Sequence, residues 1–176
     1  MAPIHGRPFL AYLIDQLREQ GIRQIVLLTG YRGELIGEYF GDGSGYGVEI
    51  DYSRGPAEWE TGRRMWEARA MLDERFLLLY SDNYVPFNLE KLLGVHSARG
   101  GALTLLLQAK QKGNIRLGPD GGIELYDPRR AAPGLDHVEI GYMIVERDSV
   151  LSEFGTPDVS FSLVLERLTN RGEWPA

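Results

Sequence analysis

The chain has 176 residues, no cysteine and a formal net charge of −6. That length suits one domain with a full core, and the missing thiols exclude disulfides, thiolate metal sites and a cysteine nucleophile. The acidic balance argues against nucleic acid as a partner, because broad phosphate-backbone binding needs a basic surface; a nucleotide needs only local positive groups. A content of 43% hydrophobic and 25% charged residues is that of an ordinary soluble protein. No apolar run is long enough to span a bilayer, and the N-terminus lacks a basic-then-apolar leader. The expectation is a cytoplasmic protein with no membrane partner.

In chain order, Phe9, Leu10, Leu13, Ile14 and Leu17 recur at helical spacing, and Gly21 supplies a stop. Gln24 to Gly30 reads as the first clear strand, Leu35 to Phe40 as a short helix, and Val48 to Ser53 as an alternating strand. The loop Gly41 to Gly47 looks like a phosphate cradle, but a strand follows it rather than a helix N-terminus, so it reads as a connector. Thr61 is placed to cap a helix carrying Met65, Ala68 and Leu72 inward. That helix leads into Phe76-Leu77-Leu78-Leu79-Tyr80, an apolar run of the kind buried on both faces of a parallel sheet. Asn88 caps a further helix with Leu89, Leu92 and Leu93 on one face, and Ala102 to Ala109 is the next strand.

Beyond this point strands dominate. Asn114 to Leu117 and Gly122 to Tyr126 flank the turn Gly118-Pro119-Asp120-Gly121, His137 to Glu146 is a long strand, and Phe161, Val164, Leu165 and Leu168 mark a late helix. The fold class expected is α/β: a Rossmann-like, mostly parallel sheet with an antiparallel elaboration. The chain nevertheless opens almost directly into a helix, where doubly wound sheets begin with a central strand and a glycine-rich turn.

Ligands of open α/β sheets sit beyond the carboxyl ends of the strands, and an aspartate there suits a hard cation and, through it, phosphate oxygens. Asp82 is the candidate; a turn residue capping the next element is its other reading. Glu139 lies in an otherwise apolar strand and needs either a hydrogen-bonding partner or solvent. The histidines His5, His96 and His137 have no metal-ligand spacing. Trp59 and Trp66 read as packing residues.

Several segments, in order, resemble the sugar-1-phosphate nucleotidylyltransferases. Met1-Ala2-Pro3-Ile4-His5-Gly6-Arg7-Pro8-Phe9-Leu10 looks like the stretch after that family's catalytic lysine, and Gln24 to Tyr31 like its second strand. Tyr80-Ser81-Asp82-Asn83-Tyr84 is similar to the strand end bearing its metal-binding aspartate, and Glu139-Ile140-Gly141-Tyr142 to its sugar-contacting segment. Together with Ser160-Phe161, these are closest to the heptose- and mannose-1-phosphate guanylyltransferases. The resemblance implies the nucleotide-diphospho-sugar transferase type of sheet with its first strand missing. It also implies Mg²⁺ as cofactor, held by Asp82, and a nucleoside triphosphate and a sugar 1-phosphate as partners. Glu60, Thr61 and Gly62 would lie against the nucleotide, with plain helix capping as the other role for Thr61. Glu139, Gly141, Arg129 and Arg130 would meet the sugar phosphate, although arginines in such a loop are more often simply solvated.

Three features depart from the family pattern. Its glycine-rich loop with an arginine, and the lysine after it, would fall ahead of Met1; its second aspartate would fall past Ala176; and Asp127-Pro128-Arg129-Arg130 stands where an acid followed by lysine is usual. The expectation is one domain over residues 1–176, truncated at the N-terminus and at the C-terminus, with no catalytic residue of its own and impaired turnover. The alternative is a non-catalytic nucleotide or sugar-phosphate binding module. Without a first strand, the ladder groups of Gln24 to Thr29 and Phe76 to Tyr80 that would face it are expected to be unpaired or re-paired.

Overall fold

The structure, a computed structural model, describes residues 3–156 and 158–171. A two-residue pair, β1 (Pro3–Ile4) and β2 (Arg7–Pro8), leads straight into α1 (Phe9–Glu19). Then come β3 (Gln24–Thr29), α2 (Gly33–Phe40), β4 (Glu49–Arg54), α3 (Thr61–Ala68), β5 (Arg75–Leu79), α4 (Leu89–Arg99) and β6 (Leu103–Ala109). The second half adds β7 (Ile115–Leu117), β8 (Ile123–Tyr126), β9 (His137–Glu146), α5 (Arg147–Leu151) and α6 (Phe161–Arg171). The mixed α/β class expected from the sequence is present; the mostly parallel sheet is not. Among the described residues only β3 and β4 pair in parallel, while β5, β6 and β7 all run antiparallel to β9, and β7 antiparallel to β8. The long strand β9 inserts between β5 and β6, so two strands that run the same way are held by an antiparallel member between them.

Two apolar cores flank this arrangement. On one side α3 and α6 deliver Met65, Phe161, Val164, Leu165 and Leu168 against Met143 and Val145 of β9. On the other, α1 packs Ala11, Ile14 and Leu17 with Ile25, Ile50 and Phe40. Full burial of each of these larger side chains contributes roughly 1.5–3 kcal/mol. On the α1 side the interior also holds His96 of α4, which bridges Thr104 of β6 and Glu146 of β9, each at 2.8 Å. Asn88 caps α4 as expected, its Oδ1 accepting from the Lys91 N–H at 2.8 Å. Thr61 differs: the helix cap is Glu60, and the Thr61 hydroxyl accepts from the Phe161 N–H at 3.0 Å, tying α3 to the start of α6.

Strands β3 and β5 share both layers but not a ladder. Ile25 and Leu27 of β3 join Leu77 and Leu79 of β5 in the α1 core, while Leu28 joins Phe76 and Leu78 in the other. Side chains alternate this way between neighbouring strands of one sheet, yet among the described residues β3 pairs only with β4 and β5 only with β9. Arg23 and Thr29 direct their carbonyls to β4, so the polar groups of Val26 and Leu28 point away from it. By the same alternation, the Tyr80 N–H donates to the Gly141 carbonyl on β9, which turns Leu77 and Leu79 toward the open edge. Phe76 to Leu79 are accordingly half-buried rather than enclosed.

In native-state hydrogen exchange, the amides of Val26, Leu28, Leu77 and Leu79 should exchange faster than those of Ile25, Leu27 and Leu78. Equal protection of the two sets would mean that these edges are paired in solution.

Candidate functional site at the ends of β5 and β9

Tyr80 follows the last residue of β5 and lies directly over Gly141. Gly141 has φ +76°, and a Cβ built there would come within 2.7 Å of the Tyr80 Cβ and ring. Glycine is therefore required twice, for the left-handed backbone and for the close approach of the ring. The same contact sets Glu139, two residues earlier, near the Tyr80 phenol. Burial first, then the charge of Glu139, with Asp82 adding a smaller push, raise the Tyr80 pKa well above its usual value. Tyr80, Asp82, Glu139 and Gly141, drawn from segments almost sixty residues apart in sequence, thus form one group.

Asp82 is exposed in the turn after β5, with no hydrogen bond or ion pair on its carboxylate. Its loop is anchored from beneath by Tyr142, which is fully buried. The Tyr142 hydroxyl lies 2.9 Å from Gln16 Oε1 of α1 and 3.3 Å from the Asn83 carbonyl, and accepts from the Val85 N–H. Gln16 Nε2 donates to the Val85 carbonyl at 2.7 Å, closing the anchor.

Glu139 carries the other carboxylate, and its two oxygens differ. Oε1 accepts from the Tyr126 hydroxyl at a long 3.4 Å, whereas Oε2 is buried without a partner. Tyr126 is itself 2% exposed, and burial, followed by lesser terms that include the Glu139 charge, pushes its pKa up to about 12.

Arg130, at φ +55°, belongs to a loop whose Asp127 carboxylate accepts from the Arg129, Ala131 and Ala132 N–H groups. Its charge reaches the Tyr126 phenol, and no ion pair or side-chain hydrogen bond occupies it among the described residues. Arg129 is exposed, and only its backbone N–H is engaged, by Asp127. Thr61 connects through Phe161 to α6, whose Ser162 comes within hydrogen-bonding reach of Tyr126. Glu60 is exposed. Gly62 is buried against Val159, whose carbonyl oxygen would sit 2.2 Å from an added Cβ, so that glycine admits a chain crossing. Arg64 clamps the end of β3, donating to the Thr29, Pro56 and Ala57 carbonyls.

Among the described residues, no cluster of three or more His, Cys, Asp or Glu side chains is placed to hold a metal. A lone unpartnered carboxylate still suits Mg²⁺, which binds through one or two carboxylates and fills its octahedron with water and substrate phosphates. Two surface hollows lie elsewhere: one of about 440 Å³ lined by Ser152, Glu153, Gly155, Arg167 and Asn170, the other between Gln20 and Asn88. Neither contains an orphaned polar atom like that of Glu139. Tyr126, Tyr142 and Ser162 were not singled out from the sequence. Tyr126 ends β8, Tyr142 lies within β9 and Ser162 opens α6, positions that carry no site signal in the sequence.

Residues 1–116 match the family model for nucleotidyl transferases. This chain belongs to that family. It is 36% identical over 109 residues to the D-glycero-alpha-D-manno-heptose 1-phosphate guanylyltransferase of Aneurinibacillus thermoaerophilus, covering 61% of this chain and 47% of that protein. It is 23% identical over 155 residues to a mannose-1-phosphate guanylyltransferase of Mycobacterium tuberculosis, covering 85% of this chain and 43% of that protein. In fold it is similar to HddC of Yersinia pseudotuberculosis, with a TM-score of 0.76, 19% identity and coverage of 93% of this chain and 73% of that one. The same relative has also been solved in complex with GMP-PN. The chain spans about half the length of the heptose-1-phosphate guanylyltransferase it matches.

Gly141→Ala should destabilise the protein by more than ~1 kcal/mol, since both the backbone and Tyr80 must give. Urea denaturation checks this; an unchanged midpoint would mean that Tyr80 does not sit over Gly141.

Proposed function

We propose that the protein acts at the α-phosphorus of a nucleoside triphosphate, joining the nucleotidyl group to a sugar 1-phosphate and releasing pyrophosphate. A phosphate oxygen of the sugar 1-phosphate forms the new P–O bond, and the bond from the α-phosphorus to the bridging oxygen breaks, its electron pair leaving with pyrophosphate. The nucleophile is ionised at neutral pH, so no general base is called for, in keeping with the absence of a nucleophile–histidine–acid arrangement in the group described above. Positioning and charge neutralisation carry such a reaction. Mg²⁺ supplies the neutralisation when bound, and Asp82 is the residue that would hold it.

The observation that supports this reading is the pairing of an exposed, unpartnered Asp82 with a half-buried Glu139, one oxygen of which is buried without a partner, across Tyr80 and Gly141. The first suits a solvated cation with its phosphates. The second suits a neutral hydroxyl donor and would repel a phosphate. Gly141 keeps the strand close beneath the sugar, and Arg130, with Arg129 behind it, offers positive charge to the sugar phosphate. Glu60, Thr61 and Gly62, joined to the group through α6, border the nucleotide. The named activities of the heptose and mannose relatives favour GTP with a heptose or mannose 1-phosphate.

Calorimetry should show GTP binding that depends on Mg²⁺, and Asp82→Asn should weaken it about tenfold, a loss of ~1.4 kcal/mol. Mannose 1-phosphate binding in the absence of metal should be unchanged by that variant. Metal-independent GTP binding, or a variant that binds Mg²⁺-GTP normally, would remove Asp82 from the site.

A further inference from the structure

Helix α1 buries Ala11, Leu13, Ile14 and Leu17, and among them lies one polar side chain, Gln16, only 6% exposed. An amide placed there costs stability unless its donor and acceptor are both taken. They are: Gln16 Nε2 donates to the Val85 carbonyl at 2.7 Å, and Oε1 accepts from the Tyr142 hydroxyl at 2.9 Å. Tyr142 has then given its single proton, and its oxygen accepts from the Val85 N–H at 3.2 Å. The three bonds close a ring in which each member donates once. Both backbone groups of Val85 are thereby fixed by side chains from α1 and β9. One helical turn further on, Gln20, directly after α1, accepts from the Leu89 N–H at 2.9 Å, where α4 begins. Residues so spaced lie on one helix face, and here that face holds Val85 and Leu89. Apart from the Asn83 carbonyl, 3.3 Å from the same Tyr142 hydroxyl, Ser81 to Phe87 make no further hydrogen bond to another element among the described residues.

We propose that Gln16, with Gln20 behind it, is a positioning residue that holds the turn after β5 in the course from which the Asp82 carboxylate meets Mg²⁺. The proposal rests on the reading of Asp82 as the residue that holds the metal, and adds which side chains set its place. Asp82 makes no bond that would orient it. On the strand side its turn is fixed by Tyr80, whose N–H donates to the Gly141 carbonyl. On the helix side the ring at Val85 is the next fixed point. Helix α1 gives that ring a rigid base, because Ile14 and Leu17 are packed into the core on either side of Gln16. A fully satisfied buried ring admits one arrangement, and loss of either amide or hydroxyl releases Val85. Gln16 is enclosed and engaged at both its oxygen and its nitrogen, so it acts on the metal only through Asp82.

The test is a double-mutant cycle read by calorimetric titration with Mg²⁺-GTP. Gln16→Leu, which removes the amide and keeps an apolar side chain of similar size, should weaken binding about two- to tenfold, the effect of one lost hydrogen bond. In an Asp82→Asn background the same substitution should cause no further loss, because both changes act through one carboxylate. Tyr142→Phe keeps the ring against Phe87 and should repeat this pattern, so it serves if Gln16→Leu fails to fold. Gln20→Ala, at a half-buried position, serves if both fail. A merely structural role for Gln16 would weaken binding equally with and without the Asp82 carboxylate, and that result overturns the proposal. Wild-type protein without Mg²⁺-dependent GTP binding, or with binding unchanged by Asp82→Asn, overturns the metal reading itself, and the proposal with it. Binding weakened by Asp82→Asn but unchanged by Gln16→Leu leaves that reading standing and overturns the proposal alone.

Discussion

Strand β9 holds this molecule together, and the contact of Gly141 with Tyr80 determines what it holds. Its residues from Tyr142 to Glu146 ladder with β5, while β6 pairs along most of its other edge. It therefore joins strands that would otherwise belong to separate pieces. At Gly141 the backbone enters the left-handed region and lets the Tyr80 ring settle on it. A side chain at that position would lift Tyr80 and, with it, the turn that carries Asp82. The alternation of β9 then sets the rest. Tyr142 faces α1 and anchors the loop after Asp82, while Glu139 reaches Tyr126 of β8. One glycine thus couples the packing of the sheet to the spacing of the two carboxylates.

The carboxylates are treated oppositely by their surroundings, and this divides the chemistry. Asp82 is exposed, and its carboxylate is engaged by no hydrogen bond or ion pair among the described residues. Glu139 is half-buried: one oxygen keeps a long hydrogen bond from Tyr126, and the other is enclosed without a partner. The acidic chain as a whole offers no general attraction for phosphates. Positive charge near the group is local, as at Arg130, whose guanidinium is unpaired among the described residues.

Much of the fold was legible because it is written locally. Strand β9 was read from His137 to Glu146, as it is found. Asn88 was recognised as a helix cap because its side chain acts within three residues of itself. Strand direction was not legible: Phe76 to Leu79 is an apolar run that suits a parallel or an antiparallel neighbour equally, and only the long-range insertion of β9 decides. Tertiary contacts likewise override local roles at Thr61, which serves the start of α6, and at Gly62, which makes room for Val159. In the site, Asp82, Glu139 and Gly141 stood out as polar or flexible residues in apolar segments. Tyr126 and Ser162 did not, because an orphaned carboxylate oxygen is a property of packing that no spacing encodes. The open edges of β3 and β5 follow the expectation raised by the helix-first opening of the chain, since no strand among the described residues lies between them.

The central claim is that the turn after β5 and the glycine bend of β9 make one ligand site. The most direct measurement is amide chemical-shift mapping of isotopically labelled protein titrated with mannose 1-phosphate and Mg²⁺-GTP together. The account predicts that the amides of residues 80–84 and 138–141 shift in concert along a single saturation curve. Shifts confined to the hollow beside Gln20 and Asn88, or to that lined by Arg167 and Asn170, with residues 80–84 and 138–141 unmoved, would contradict it.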